Sequence, residues 1–255
     1  MTYSKKDDEL VLATTGWSHL PLPTTPVYAI AGHESQVLTV QLNNVGDVCQ
    51  GEPGTMMYLS SDIQQSTTCE EGCLERTCAG ESCCVLHFTK SAGGATTPSY
   101  CALTPNFPTA KVVPIDLNTV QGVLICQQGA YMASWGDVHV EMSLDCNLLR
   151  CCCGGMGLVR QKLQGTGTVF LAGTGTMLQK ILQPGEIIVV DTNCVMAFAG
   201  SCTMDLRRVG GVMGMIGGGE GIFNTTITGP GLVVVQSMNE LMFKQALVAN
   251  KLYRR

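Results

Sequence analysis

Short apolar runs that alternate with polar residues recur along most of the chain. In residues 138–145 the apolar side chains occupy every second position, and the residues between them are polar. The segments 37–42 and 202–207 follow the same pattern. Alternation with a period of two is typical of β-strands that bury one face. The pattern therefore predicts an all-β chain whose strands are separated by glycine-rich turns.

The strand pattern also repeats itself. The glycine-rich stretches 155–171 and 219–235 share glycine and apolar residues at corresponding positions when Gly155 is aligned with Gly219, and we call this spacing the shorter interval. A more diverged copy precedes them, in which Gly80 aligns with Gly155, and we call this spacing the longer interval. Internal repetition of this kind indicates a fold built from repeated supersecondary units. We therefore predict three tandem β repeats.

Two turn positions recur in the three copies. The first is occupied by Gly54, Gly129 and Asn193, and glycine and asparagine are the residues that most readily adopt a positive φ. We therefore predict a left-handed turn at each. A methionine follows three residues later in every copy, at Met57, Met132 and Met196. The second recurring turn position is occupied by Gly80, Gly155 and Gly219.

These spacings predict the domain organisation. Residues 1–26 form an N-terminal arm, and repeat 1 spans 27–108 with an inserted cysteine-rich loop between residues 60 and 108. Repeat 2 spans 109–173 and repeat 3 spans 174–236. Residues 237–255 are predicted to form a short C-terminal helix, because Ser237 and Glu240 have the spacing of a capping box.

Composition and charge limit the functional classes. Charged residues make up 14% of the chain and glycine numbers 30, which is typical of turns and buried strands rather than of disorder. The net charge of −5 provides no overall attraction to phosphate backbones, so nucleic acid is a disfavoured partner. No apolar run approaches the roughly 18 residues of a transmembrane helix, which leaves peripheral membrane association open. Residues 1–10 resemble neither a signal peptide nor an import presequence, so we expect a cytoplasmic protein with reduced thiols.

The 14 cysteines fall into two groups. Four of them align with apolar positions of the other repeats and are predicted to be small buried hydrophobic residues: Cys49, Cys83, Cys84 and Cys202. Most of the others cluster in residues 69–78 and 146–153, without the paired spacing that structural zinc sites favour. For Cys151, Cys152 and Cys153 we consider three interpretations in order of preference: an inert loop, a reversible lipid-attachment or redox patch, and a metal site.

No catalytic constellation is evident in the sequence. His139 and Glu141 share one strand face, where we interpret them as exposed or interfacial polar residues. The alternative, a pair of metal ligands or an acid and base, requires a third group that the sequence does not identify. The glycines of 217–221 lack the following lysine, hydroxyl residue and helix of a phosphate-binding loop. We therefore predict no enzymatic activity and no cofactor.

An ordered series of short motifs resembles the AIM (altered inheritance of mitochondria) proteins of bacteria and mitochondria, over about residues 27–240. The resemblance rests on these motifs: Glu52-Pro53-Gly54, Val113-Pro114-Ile115-Asp116-Leu117, Leu124-Ile125-Cys126-Gln127, Leu182-Gln183-Pro184-Gly185-Glu186, Val190-Asp191-Thr192, and Gly218-Gly219-Glu220-Gly221-Ile222-Phe223 with Thr228-Gly229-Pro230-Gly231.

This resemblance implies three tandem β-sandwich repeats with the fold of the tryptophan RNA-binding attenuation protein, which is similar to a double-stranded β-helix. It also implies a homotrimer that forms a ring of nine units. Mitochondrial members of the family are implicated in inner-membrane organisation, and the bacterial members have no established activity. A mitochondrial location is therefore the alternative to the cytoplasm.

The sequence and the resemblance together favour a non-enzymatic oligomeric scaffold or interaction protein. Its partners would be other copies of the chain, as a homotrimer, and an unknown protein. The physical basis is that the repeats have apolar strand faces and few charges, so that burial between repeats and between subunits is expected. One alternative is a ring-shaped protein that binds small molecules or nucleic acid. A weaker alternative is a metal-dependent enzyme built on His139, Glu141 and the loop cysteines.

Overall fold

The described part of the chain consists almost entirely of β-strands. The structure is a computed structural model, and it describes residues 18–19, 27–69, 84–92, 98–107, 109–144, 159–208, 223–238, 243 and 247. The fold class is therefore all-β, which confirms the prediction. The strands are β1 (Ser18–His19), β2 (Tyr28–Ala31), β3 (Val37–Leu42), β4 (Val48–Gly51), β5 (Met56–Leu59), β6 (Ile63–Cys69), β7 (Cys84–Lys90), β8 (Ser99–Leu103), β9 (Lys111–Asp116), β10 (Val123–Gln127), β11 (Tyr131–Trp135), β12 (Val138–Leu144), β13 (Val159–Gly165), β14 (Thr168–Leu182), β15 (Ile187–Asp191), β16 (Val195–Ala199), β17 (Thr203–Arg208), β18 (Phe223–Thr228) and β19 (Gly231–Met238).

The chain divides into two compact units. The larger unit, Leu22–Gly173, contains three antiparallel groups of strands, with the orders β2-β3-β8-β5, β9-β14-β11-β4-β7-β6 and β10-β13-β12. The smaller unit comprises Thr174–Arg255 together with Met1–Pro21. It contains the groups β15-β18-β17 and β16-β19-β14-β1.

An apolar core joins the sheets of the larger unit. Along β3 the buried residues alternate with partly exposed ones, as the period-two pattern predicts. The large side chains Phe88 and Phe170 are fully buried, and Tyr28 packs edge-on against Phe170 with ring centroids 4.9 Å apart. Burying one such side chain contributes roughly 1.5–3 kcal/mol. The core cluster comprises Leu38, Val40, Leu42, Cys49, Ile63, Leu86, Phe88, Cys101, Leu103, Val112, Met132, Ala133 and Phe170.

Equivalent strands recur at the spacings found in the sequence. Strand β13 begins at Val159, which follows the first residue of β7, Cys84, by the longer interval. Strand β18 begins at Phe223, which follows Val159 by the shorter interval. The pairing recurs as well, because Val48 lies opposite Thr89, Val123 opposite Gln164 and Ile187 opposite Thr228. We name three strand sets accordingly. The first is β3–β8, the second is β9–β13 with residues 168–173 of β14, and the third is residues 174–182 of β14 with β15–β19.

Each strand set contains a β-bulge at the same position. The register between paired strands shifts between Met56 and Tyr58, between Tyr131 and Ala133, and between Val195 and Ala197. The extra residue of each bulge is therefore one of the recurring methionines, Met57, Met132 or Met196. A bulge bends its strand and increases the local twist. The methionine recurrence in the sequence thus marks the point where this strand bends.

The recurring turn position differs in the third set. Gly54 and Gly129 adopt positive φ angles of 91° and 73°. At Asn193 the predicted left-handed turn is replaced by a 3-10 turn, Thr192–Cys194. The carboxylate of Asp191 accepts a hydrogen bond of 2.8 Å from the backbone N–H of Asn193. This cap stabilises the 3-10 turn, in which asparagine needs no positive φ.

The prediction of a long loop between residues 60 and 108 is wrong. This stretch contains β6, β7 and β8. Strand β6 was missed because Gln64, Gln65 and Ser66 form an exposed polar run with no apolar alternation. Part of the additional length of the first set lies in residues 91–98, between β7 and β8, where the second set has only residues 166–167. Another part lies in residues 104–110, between β8 and β9.

Both ends of the described chain differ from the prediction. Strand β1 lies inside the predicted arm and pairs with Leu178 and Gln179 of β14. At the other end, β19 continues through Met238, so Ser237 lies in a strand rather than at a helix cap. The Ser237 hydroxyl accepts a hydrogen bond of 2.9 Å from the backbone N–H of Thr176. Of the remaining residues of the predicted helix, only Phe243 and Leu247 are described, and both are helical.

Candidate functional site

Several residues singled out in the sequence lie outside the described residues. These are the cysteine cluster Cys151, Cys152 and Cys153, and the turn glycines Gly80, Gly155 and Gly219. The three interpretations of the cysteine cluster therefore stay as stated.

His139 and Glu141 lie on the exposed face of β12. His139 Nε2 is 3.5 Å from Asp137 Oδ1, and both side chains are exposed. Glu141 Oε2 lies 3.7 Å from Lys162 Nζ on β13 and accepts a hydrogen bond of 2.8 Å from Gln164 Nε2. Exposed ion pairs of this kind contribute about 0–1 kcal/mol. This arrangement is that of a solvated strand face.

No candidate metal centre is found within the part of the chain that the structure describes. There, no group of three or more histidine, cysteine, aspartate or glutamate side chains is arranged to hold an ion. The third group that a His139–Glu141 site requires is therefore not among these residues.

Three of the four cysteines predicted to be core residues are described. Cys49 and Cys202 are buried and Cys84 is half-buried. A hydrogen bond with the Cys101 thiol, together with burial, raises the pKa of the Cys49 thiol well above its ordinary value. Burial also raises the pKa of the Cys202 thiol. Thiols with raised pKa values stay protonated at neutral pH and are poor nucleophiles.

We expect the buried thiol of Cys49 to weaken folding at alkaline pH. Below the ordinary thiol pKa of about 8.5 the stabilising contribution of the neutral buried thiol is complete. Above it the unfolded chain releases a proton that the folded chain retains, so the free energy of unfolding falls as pH rises. Urea denaturation between pH 7 and pH 10 measures this fall. Cys49→Ala should make it shallower, and an unchanged slope would contradict the assignment.

Strand β5 presents an exposed apolar edge, whereas the equivalent edge of β11 in the second set is paired with another strand. Among the described residues β5 pairs only with β8, and Met56, Met57 and Tyr58 are 43%, 57% and 48% exposed. The equivalent strand β11 pairs with β14 on one side and with β4 on the other. There the corresponding side chains are at most 1% exposed: Tyr131, Met132 and Ala133. We call the free side of β5 the β5 edge.

Strand β15 presents a second apolar edge. It pairs with β18 alone among the described residues, and its Ile187 and Val189 are 60% and 52% exposed. Its counterpart in the first set, β4, pairs with both β7 and β11, and Val48 and Gln50 there are half-buried. We call the free side of β15 the β15 edge. Within the part of the chain that the structure describes, the first and third sets each lack one neighbour that an equivalent strand has.

Within the residues described, the structure contains no helix of the length and hydropathy that a membrane crossing requires.

These observations define an all-β protein of recurring antiparallel strand sets, in which β5 and β15 present apolar edges among the described residues. The chain belongs to the mitochondrial biogenesis AIM24 family, which matches residues 28–238. The family predicted from the sequence is thereby confirmed. Among curated proteins, no sequence matches the chain significantly.

The chain is similar to a solved structure, the protein SPYM3_0169 from Streptococcus pyogenes. The two share 23% sequence identity with a TM-score of 0.68. The match covers 88% of this chain and 98% of the streptococcal chain. At this identity the similarity shows the fold alone.

Proposed function

We propose that the protein is a non-enzymatic scaffold that assembles with copies of itself through its strand edges. The observation that carries this proposal is the contrast between β5 and β11. Met57 is exposed on β5, whereas the equivalent Met132 is buried on β11, a strand that also pairs with β4. Apolar side chains at an uncovered edge favour association, and unpaired backbone groups of an edge strand are a ready template for another strand.

The β5 edge and the β15 edge are equivalent to two strand sides that pair with each other within the chain. The β5 edge corresponds to the side of β11 that pairs with β4, and the β15 edge corresponds to the side of β4 that pairs with β11. Two copies can therefore associate head to tail, with unlike surfaces meeting. Such interfaces close into rings when the rotation between copies permits it.

We propose further that the three strand sets are tandem attenuation-protein-like β-sandwich repeats and that three chains form the closed assembly. The recurrence of strand spacing, pairing register and bulge position supports the repeat interpretation. The number of chains rests on the family resemblance. A homotrimer would contain nine strand sets.

Native mass spectrometry and light scattering of the purified chain test this function. We expect three times the 27.1 kDa mass of the chain at micromolar concentration. The assembly should persist in 1 M salt, because apolar contacts and backbone pairing are not screened as exposed ion pairs are. A monomer under both conditions would overturn the proposal, and a closed assembly of another size would overturn only the number of chains.

The compartment stays a prediction. The sequence favours the cytoplasm, and the description of the family as mitochondrial biogenesis proteins supports the mitochondrial alternative. For a scaffold in mitochondria, a role in membrane organisation would agree with the family resemblance. The absence of enzymatic activity is likewise proposed, on the basis of the solvated His139 face and the protonated buried thiols.

A further inference from the structure

The larger unit contains one pairing between neighbouring strand sets, and its register is defined. Strand β11 of the second set runs antiparallel to β4 of the first, with Ala133 opposite Gly51, Ser134 opposite Gln50 and Trp135 opposite Cys49. Ser134 Oγ also donates a hydrogen bond of 3.3 Å to Gln50 Oε1 across this pairing. We call this pairing the internal seam.

The internal seam has an equivalent on the free edges. Strand β5 precedes β11 by the longer interval, so Ala133 corresponds to Tyr58 and Ser134 to Leu59. Strand β15 follows β4 by the longer and the shorter interval together, so Gly51 corresponds to Val190 and Gln50 to Val189. By this correspondence, β5 lacks a neighbour of the β4 kind within the described part of the chain. Strand β15 is of the β4 kind, and among the described residues the side that would meet β5 is unpaired.

We propose that β5 of one copy pairs antiparallel with β15 of a second copy, with Tyr58 opposite Val190 and Leu59 opposite Val189. This inference rests on the proposed self-assembly and names the surfaces and the register that bring it about. The polar Ser134–Gln50 contact of the internal seam is replaced here by an apolar pair of Leu59 and Val189. Cross-strand apolar pairs stabilise an antiparallel sheet.

The bulge at Met57 is compatible with this pairing. Bulges often protect edge strands from unwanted pairing. Strand β11, however, has the same bulge at Met132 and still pairs with β4 from Ala133 onward. The bend in β5 therefore matches the shape that a neighbouring strand of the β4 kind accepts.

The hydrogen bonding of the internal seam identifies the best pair for a cross-link. The backbone N–H of Glu52 donates to the carbonyl oxygen of Met132 at 2.9 Å. Hydrogen-bonded and non-hydrogen-bonded pairs alternate along an antiparallel ladder, so the next pair, Gly51 with Ala133, is of the non-hydrogen-bonded kind. Tyr58 and Val190 correspond to that pair. Their Cα atoms should lie about 4.5 Å apart, within the range that a disulfide spans.

The test is oxidation of the full chain carrying both Tyr58→Cys and Val190→Cys, followed by electrophoresis without reductant. We expect a reversible cross-link between chains, several-fold stronger than with Tyr58→Cys or Val190→Cys alone. The two single variants measure the background from the natural cysteines. A small side chain is compatible with position 58, because Ala133 occupies the equivalent position of the internal seam.

A second double variant, Tyr58→Cys with Ile188→Cys, tests the register. Ile188 points to the same face of β15 as Val190 but lies two residues further along the strand, about 7–8 Å from Tyr58 diagonally. We expect this variant to cross-link weakly. A stronger cross-link than that of Tyr58 and Val190 would overturn the register.

The remaining outcomes separate this inference from the proposed function. A native oligomer whose cysteine pairs give no cross-link between chains would leave self-assembly standing and overturn the β5–β15 pairing. A cross-link that forms within one chain, without an increase in mass, would overturn the pairing between copies. A monomer with no cross-link would overturn both proposals.

Discussion

Truncating Met132 to alanine is expected to cost the larger unit about 2–5 kcal/mol of its free energy of unfolding, the usual range for a buried methionine. Met132 is only 1% exposed and belongs to the core cluster, so its removal leaves a cavity. Denaturation by urea, followed by tryptophan fluorescence, measures the change. The half-buried Trp135 lies on the same strand as a reporter.

Met57→Ala is the matched control. It removes the same side chain from the same bulge position of the first set, where methionine is 57% exposed. For the dissociated chain we expect a change within about 0.5 kcal/mol, as for most exposed positions. Equal losses at the two methionines would contradict the assignment of one as covered and the other as uncovered.

Introducing a lysine at Tyr58 is expected to dissociate the assembly without unfolding the chain. Lysine on an edge strand opposes pairing with another strand, because its ammonium group would lose water on docking. Burying that ammonium group without a partner costs more than about 1.4 kcal/mol, so the dissociation constant should rise more than about tenfold. Native mass after dilution measures the change, and circular dichroism monitors the β content.

Val45→Lys is the control for this experiment. Val45 is 62% exposed but lies between β3 and β4 rather than on either free edge. The same charge placed there should leave the native mass unchanged. If both lysine variants dissociated the assembly, the effect would follow from net charge and not from the β5 edge.

Strand starts and pairing registers recur at the spacings found in the sequence, for a physical reason. Turns and bends restrict which residues fit, so Met57, Met132 and Met196 reappear at fixed distances from the turns before them. In the structure these methionines are the bulge residues. Each strand set has the same steric requirement at its bulge, so the same residue type recurs in the sequence.

The incorrect predictions arose where local chemistry allowed two structures. Asn193 tolerates a positive φ, but the carboxylate of Asp191 stabilises a 3-10 turn instead. Strand β6 has a polar sequence because it ends its sheet and faces solvent, so the period-two signal is absent. Ser237 is a good helix cap by itself, yet pairing of β19 with β14 keeps it in a strand.

The candidate interaction edges could not be predicted from the sequence. Alternation shows which face of a strand is buried and carries no information on which side of the strand is paired. Met57 and Met132 look equivalent in the sequence, and only the structure separates them, because Met132 is packed in the core cluster and its strand β11 also pairs with β4. One signal was available in principle. The first and last copies of a tandem repeat each lack a neighbour on one side, so their outer strands are candidate contact surfaces.

The two free edges differ from each other, which gives the proposed assembly a direction. A subunit in which a substitution prevents pairing at the β5 edge still has an intact β15 edge, through which it can bind a normal subunit. Because its β5 edge cannot pair, no further subunit can be added there. Mixed with normal chains, such a variant would leave incomplete oligomers with open ends, and its effect in a cell would be dominant-negative rather than silent.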